Sequence, residues 1–112
     1  MLVMTPVILY DLLAHGTVIR FADISLLIFD EAHHCTKSHP YANIMRKYHD
    51  HVRTLPYGGH RPKIFGMTAS PVNTKAGSFV TMRQSIQQLQ ELMDARLKTA
   101  TGMTQVLSLI HI

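Results

Sequence analysis

Three short apolar runs divide the chain, and each has the length of a β-strand. They are residues 2–4 (Leu-Val-Met), 24–29 (Ile-Ser-Leu-Leu-Ile-Phe) and 63–67 (Lys-Ile-Phe-Gly-Met). Their apolar residues are nearly continuous instead of alternating with polar ones, which is typical of strands buried on both faces of a sheet. The pattern therefore predicts three buried strands.

The segments after these runs carry helical signals. Thr5 followed by Pro6 is a typical helix start and Gly16 a typical helix end, and Pro40 opens a second helical segment. Three sets of apolar residues recur at helical spacing: Ile8, Leu9, Leu12 and Leu13; Ile44, Met45, Tyr48 and Val52; and Met82, Ile86, Leu89, Met93 and Leu97. This periodicity predicts one helix after each strand.

The alternation of strand and helix predicts an α/β fold, with a parallel sheet and helices packed on both of its faces. Three strands make a small sheet, and the first begins at residue 2. We therefore expect a fragment whose missing N-terminal strands would complete the core. Residues 107–112 are apolar and lack caps, so they are either the start of another strand or foreign sequence at a truncated end.

Composition narrows the class of protein only slightly. The 112 residues are 46% hydrophobic, and 11 Lys and Arg against 7 Asp and Glu give a net charge of +4, which suits a polyanionic partner without requiring one. The single cysteine, Cys35, cannot form an internal disulfide, which suits the cytosol or the nucleus. No apolar stretch approaches the roughly 20 residues that span a bilayer, so we expect a soluble protein without a membrane partner.

Two adjacent carboxylates, Asp30 and Glu31, come directly after the second apolar run. Ligands bind at the carboxyl ends of the strands in open α/β sheets. In nucleotide hydrolases the first such carboxylate holds Mg²⁺, usually through water, and the second orients and deprotonates the attacking water. We predict these roles for Asp30 and Glu31, although the same dipeptide also commonly starts a solvated loop.

A zinc site is an alternative use of the residues that follow. His33, His34, Cys35 and His39 are all potential zinc ligands. Their spacing fits no common structural zinc pattern, and the two carboxylates already account for the site, so zinc is the less favoured interpretation.

The run from Leu27 to His33, which ends in Asp30-Glu31-Ala32-His33, resembles motif II of superfamily 2 helicases. The resemblance implies that His33 couples the nucleotide site to neighbouring motifs. Thr68-Ala69-Ser70, about 35 residues further on, resembles motif III, and its hydroxyls suit a relay of hydrogen bonds.

Thr5-Pro6 matches the helicase motif that touches the nucleic-acid backbone. The exposed amides at a helix start also attract phosphate. Taken alone, however, Thr-Pro is more often an ordinary helix start.

Further stretches resemble the helicase region of Dicer, namely His39-Pro40-Tyr41 with Ile44-Met45, residues 68–73 with Lys75, residues 86–93 and residues 99–101. The resemblance identifies residues 2–105 as the C-terminal part of an ATP-binding, RecA-like first motor domain and leaves 106–112 as an uncertain tail. Duplex-RNA sensors and Fanconi-type DNA translocases share the first two motifs. Ala32 departs from the pattern, since many Dicers carry cysteine there.

The resemblance implies a parent protein that binds double-stranded RNA, hydrolyses ATP with Mg²⁺ and feeds RNA to ribonuclease III domains in RNA silencing. The remaining motor and nuclease domains of the same chain would then be its partners. The sequence contains no Gly-x-x-x-x-Gly-Lys-Ser/Thr phosphate loop, so we expect negligible ATP hydrolysis by the chain alone. Two alternatives are a DNA translocase fragment and a non-catalytic remnant kept as a binding scaffold.

Overall fold

The computed structural model describes residues 1–36, 38–56, 58–68, 79–99 and 107–111, with side chains except at 79–82, 99 and 107–111. The helices are α1 (Pro6–His15), α2 (Pro40–Thr54) and α3 (Phe79–Met93). The strands are β1 (Leu26–Asp30), β2 (Lys63–Thr68), β3 (Ala95–Thr99) and β4 (Leu107–His111), and two short 3-10 turns cover Phe21–Asp23 and Ala32–His34. This mixture of helices and strands confirms the α/β class and fits a partial RecA-like domain.

The sheet combines one parallel pair with two antiparallel ones, in the order β1-β2-β4-β3. β1 and β2 run parallel, with Leu27 opposite Ile64 and Phe29 opposite Gly66, as predicted for these two strands. β4 is antiparallel to both of its neighbours. Residues 100–106 alone connect β3 to β4, which is shorter than the dozen or so residues that a parallel crossover needs.

The core lies on one face of the β1–β2 pair. Leu27, Phe29 and Ile64 are 9%, 3% and 1% exposed, whereas Leu26 and Ile28 on the opposite face are 53% and 51% exposed. The prediction that these strands are buried on both faces is therefore wrong for the described part of the chain. Side chains alternate between the two faces of a strand, so a continuous apolar run does not show how many faces are covered.

The prediction of a strand at residues 2–4 is also wrong. These residues form no regular structure, and Leu2 and Val3 are 73% and 87% exposed. A β-strand exists through hydrogen bonds to a neighbouring strand, and none of the described strands pairs with this segment. Apolar composition without a partner therefore does not produce a strand here.

Helix α1 begins and ends where the sequence predicts. Thr5 has an extended backbone at the N-cap position, Pro6 is the first helical residue, and the Gly16 N–H donates to the Leu12 carbonyl at 3.1 Å. Gly16 has φ 69°, a left-handed conformation that glycine adopts without steric cost. The Thr5 side chain makes no capping hydrogen bond, so the helix start depends on backbone geometry and on Pro6.

Helix α2 supplies much of the core. It begins at Pro40, whose missing N–H is no loss at the first helical position. Four of its residues have no exposed surface: Ala42, Ile44, Met45 and Tyr48. The predicted apolar face of α2 is therefore confirmed, and the helix packs against both α1 and α3.

Helix α3 ends at Met93, before the predicted position Leu97. Asp94 has φ 52°, and this left-handed residue turns the chain into β3. The Leu97 N–H donates to the Gln90 side-chain oxygen at 2.8 Å, and its side chain still packs against the core. The spacing of the apolar residues did not distinguish a continued helix from a turn into a strand, because either one places Leu97 against the core.

Residues 107–111 form β4, and whether they belong to the native sequence stays an open prediction. In the residues described, no helix is both long enough and apolar enough to cross a membrane.

Candidate functional site

The two predicted carboxylates lie at the C-terminal end of β1. Asp30 is the last residue of this strand and lies opposite Met67 of β2, and Glu31 follows it directly. Both residues are exposed, and the Glu31 side chain keeps 58% of its surface accessible. The structure thus places the pair at the sheet edge where open α/β sheets bind ligands.

The backbone between the two carboxylates is held in an unusual conformation. Glu31 has φ 52° and ψ 51°, a left-handed geometry that costs about 1 to 2 kcal/mol for a residue with a Cβ atom. The Asp30 Oδ1 atom accepts the Glu31 N–H at 3.0 Å. The Tyr41 hydroxyl donates to the Asp30 carbonyl oxygen at 2.7 Å. Both polar groups of the peptide unit between Asp30 and Glu31 are therefore hydrogen-bonded, which helps to offset the strain.

His33 connects the carboxylate turn to the end of β2. Its Nδ1 atom forms a 2.7 Å hydrogen bond with Thr68 Oγ1 and lies 3.5 Å from Glu31 Oε2. Thr68 is the last residue of β2 and is 3% exposed. The buried Ala32 holds the short turn that carries His33. The structure therefore brings the predicted motif II into contact with the first residue of motif III, while Ala69 and Ser70 lie outside the described residues.

A row of packed rings extends from the carboxylate turn to the start of α2. In order, the rings belong to Phe29, Tyr41, His39, His34 and His33. Neighbouring ring centroids are 4.7, 4.9, 5.2 and 4.2 Å apart along the row. Sequence reasoning missed this row, and the available signal was the His-Pro-Tyr sequence immediately before a helical pattern.

The surroundings shift the pKa values of three side chains near the carboxylate turn. Burial first, and then the carboxylates of Asp30 and Glu31, raise the pKa of Tyr41, so its hydroxyl stays a hydrogen-bond donor. Burial and the neighbouring His34 lower the pKa of His39. Burial raises the pKa of the Cys35 thiol from 9.0 to about 12.

These properties bear on which metal ion the residues fit. Cys35 is only 1% exposed and lies in the hydrophobic core, away from the solvent-facing carboxylates. Among the residues with described positions, no group of three or more His, Cys, Asp or Glu side chains can hold a metal ion. Mg²⁺ needs no such cage, because it commonly keeps several waters and takes one or two carboxylates together with substrate phosphates. The exposed Asp30 carboxylate fits that manner of binding.

Thr5 and Pro6 lie at the N-terminus of α1, away from the hydrogen bonds of the carboxylate turn. Thr5 is exposed, and α1 packs against α2. Within the described part of the chain, no hydrogen bond joins Thr5 to Asp30, Glu31 or His33. The structure shows an accessible helix start there, and its predicted nucleic-acid contact remains a prediction.

Comparison with known proteins gives a consistent group of relatives, although no protein-family model matches the chain. Dicer-like protein 1 of Phaeosphaeria nodorum is 38% identical over 100 residues, or 89% of this chain and 6% of the relative. Endoribonuclease Dicer homolog 3b of Oryza sativa is 45% identical over 97 residues, or 85% and 5%. Endoribonuclease Dicer homolog 2 of Arabidopsis thaliana is 42% identical over 98 residues, or 88% and 7%. The chain thus spans only a small part of each relative.

Proposed function

We propose that this chain, which is a Dicer-like region, forms the C-terminal part of an ATP-driven motor domain acting on double-stranded RNA within a longer protein. The motor segment is residues 2–105. Similarity over most of the chain to Dicer-like proteins, two of them named endoribonucleases, supports a parent that works in RNA silencing. Double-stranded RNA, ATP and the other motor and nuclease domains are the proposed partners, in the cytoplasm or nucleus.

The hydrogen bond between His33 and Thr68 is the observation that carries this proposal. At 2.7 Å it joins the turn with the two carboxylates to the segment that follows β2. Glu31 Oε2 lies 3.5 Å from the same His33 nitrogen. A charge change on Glu31 therefore acts on a side chain bonded directly to Thr68, which is the kind of connection that links hydrolysis to movement.

The two carboxylates have separate proposed roles. Asp30 would hold Mg²⁺ through water, and the ion would supply positive charge against the phosphate oxygens. Glu31, with its accessible carboxylate, orients the attacking water and accepts its proton. Glu31 Oε2 lies beside the His33 nitrogen that bonds Thr68, so a proton taken up by Glu31 changes the surroundings of that hydrogen bond.

The proposed test is RNA-stimulated ATP hydrolysis by the complete parent protein carrying Glu31→Gln. Glutamine keeps the shape of the side chain but accepts no proton, so kcat should fall by about 100-fold or more. The matched control is Glu91→Gln, which changes an exposed glutamate on α3 and should leave kcat unchanged. Full hydrolysis by the Glu31 variant would reject the motor role. Stimulation by branched DNA but not by duplex RNA would favour a DNA translocase.

A further inference from the structure

Tyr41 lies beside the carboxylate turn and has no part in the roles proposed above. Its hydroxyl donates to the Asp30 carbonyl oxygen at 2.7 Å, and its own N–H donates to His39 Nδ1 at 3.1 Å. Its ring packs against Phe29, which is 3% exposed, with 4.7 Å between the ring centroids. The side chain is thus fixed by its ring, its hydroxyl and the start of α2.

We propose that Tyr41 is a positioning residue, which keeps Glu31 in its left-handed conformation and thereby sets where the Glu31 carboxylate lies. This inference rests on the proposed function, because it assigns Tyr41 to the same site. In this role Tyr41 acts through the Asp30 carbonyl, which accepts its hydroxyl.

The geometry of one peptide unit explains how this works. Opposite rotations about the ψ bond of Asp30 and the φ bond of Glu31 turn the intervening carbonyl and amide over, with little movement of the neighbouring Cα atoms. That rotation takes Glu31 out of the left-handed region and turns its N–H away from Asp30 Oδ1, so the turn that carries the Glu31 side chain loses its fixed backbone geometry. Removing the hydrogen bond to the Asp30 carbonyl therefore permits the Glu31 carboxylate to leave its position.

The other bond to this peptide unit cannot replace Tyr41. It is accepted by Asp30 Oδ1, and the same carboxylate is proposed to bind Mg²⁺ through water. A carboxylate that also bonds a metal-bound water is a weaker acceptor for the Glu31 N–H. The bond from Tyr41 is independent of that competition, since its acceptor is the backbone carbonyl.

Tyr48 provides a matched control on the same helix. Its hydroxyl also makes a 2.7 Å hydrogen bond, to Asp94 Oδ2, and Asp94 is likewise left-handed with φ 52°. Tyr48 has no exposed surface and lies at the turn between α3 and β3, not at the carboxylate turn. Each Tyr→Phe change removes one hydroxyl and keeps the ring.

The experiment compares Tyr41→Phe, Tyr48→Phe and Glu31→Gln in the complete parent protein. Initial rates of RNA-stimulated ATP hydrolysis at varied ATP give kcat and KM, and thermal unfolding gives Tm. We expect Tyr41→Phe to lower kcat by roughly 10- to 100-fold, the range seen when a residue supporting a site is lost, with KM for ATP unchanged. Tyr48→Phe should lower Tm at least as much and leave kcat unchanged.

A second measurement tests the geometry without relying on hydrolysis. Hydrogen exchange at the Glu31 amide should be faster in Tyr41→Phe than in the wild type, and unchanged in Tyr48→Phe. Equal exchange in all three proteins would overturn the inference.

The kinetic outcomes separate the two proposals. Normal kcat in Tyr41→Phe together with lost hydrolysis in Glu31→Gln would overturn the role of Tyr41 and leave the motor proposal standing. If both tyrosine variants lost kcat in proportion to their loss of Tm, the role of Tyr41 would also be overturned, because such losses indicate a general effect on folding. Retained hydrolysis in Glu31→Gln would overturn both proposals.

Discussion

Two turns in this chain share a backbone conformation and use their acidic residues differently. Glu31 after β1 and Asp94 after α3 both have φ 52°, and a tyrosine of α2 makes a 2.7 Å hydrogen bond at each turn. At the first turn the tyrosine bonds a backbone carbonyl, and both carboxylates remain exposed. At the second it bonds the Asp94 carboxylate, which also lies 3.7 Å from Arg61.

The comparison shows that left-handed geometry does not by itself mark a functional site. The turns differ in the exposure of their acids: Asp30 and Glu31 are exposed, although Asp30 Oδ1 also accepts the Glu31 N–H, whereas the half-buried Asp94 accepts the Tyr48 hydroxyl. An acid bonded within the fold contributes to stability, whereas an acid facing solvent is available to a substrate. By this criterion the carboxylates of the β1 turn are the ones free for the proposed catalytic roles, and the acid of the α3 turn serves the fold.

The largest expected effect concerns Cys35, a buried residue that lies close in sequence to the exposed carboxylate turn. Cys35 follows the exposed carboxylates closely, yet burial raises the pKa of its thiol from 9.0 to about 12. The thiolate is the form that reacts, so alkylation by iodoacetamide at pH 8 should be about 1000-fold slower in the folded chain than in the unfolded chain. Rates within tenfold of each other would show that the segment behind the turn opens readily.

A pair of alanine variants tests the stability side of the comparison. Asp94→Ala removes an acceptor of the Tyr48 hydroxyl, so the free energy of unfolding should fall by about 1.5 to 3 kcal/mol, the range for hydrogen bonds to charged groups. Glu31→Ala should change it by no more than about 0.5 kcal/mol, as for most surface positions. Both changes put alanine at a left-handed position, and because aspartate tolerates that conformation better than glutamate, part of the Asp94→Ala loss comes from the backbone. Urea denaturation measures the difference, and equal losses would contradict the contrast between the turns.

The smallest expected effect is a pH dependence at the start of α2, which carries Tyr41. His39 Nδ1 accepts the Tyr41 N–H, and a protonated ring nitrogen cannot do so. Burial and His34 lower the folded-state pKa of His39 below 6.5. The stability contributed by the neutral ring is therefore present above pH 6.5 and is lost as the pH falls below it.

His39→Asn separates this titration from the rest of the protein. Asparagine is a good helix cap and does not titrate, so the variant should lose less stability than the wild type between neutral and mildly acidic pH. Denaturation midpoints across that range are the measurement. Identical pH slopes would show that the cap is insensitive to protonation.

Local signals predicted the parts of the fold that depend on a few neighbouring residues. Thr5-Pro6 and Pro40 marked helix starts correctly, because a helix start depends on nearby backbone groups. The errors concern partners that are distant along the chain. None of the described strands lies beside the run at residues 2–4, and the exposure of Leu26 and Ile28 depends on what covers the sheet.

The same distinction holds at the site. The position of Asp30 and Glu31 after β1 followed from the apolar run before them. The bond from Tyr41 to Asp30 and the contact of His33 with Thr68 bring together residues 11 and 35 positions apart. The left-handed conformation of Glu31 was equally hidden, since no glycine or asparagine marks it. Such contacts arise from the packing of α2 and β2 against β1.

Strand β1 has a further consequence for the behaviour of the isolated chain in solution. It forms an edge of the sheet, and beside that edge Leu26 and Ile28 expose about half of their surface. In the described structure, no strand pairs with the outer side of β1. Open edges flanked by apolar side chains template pairing with other molecules, and a lysine placed there opposes it. The chain produced by itself should therefore aggregate as its concentration rises, and Ile28→Lys should keep it dispersed.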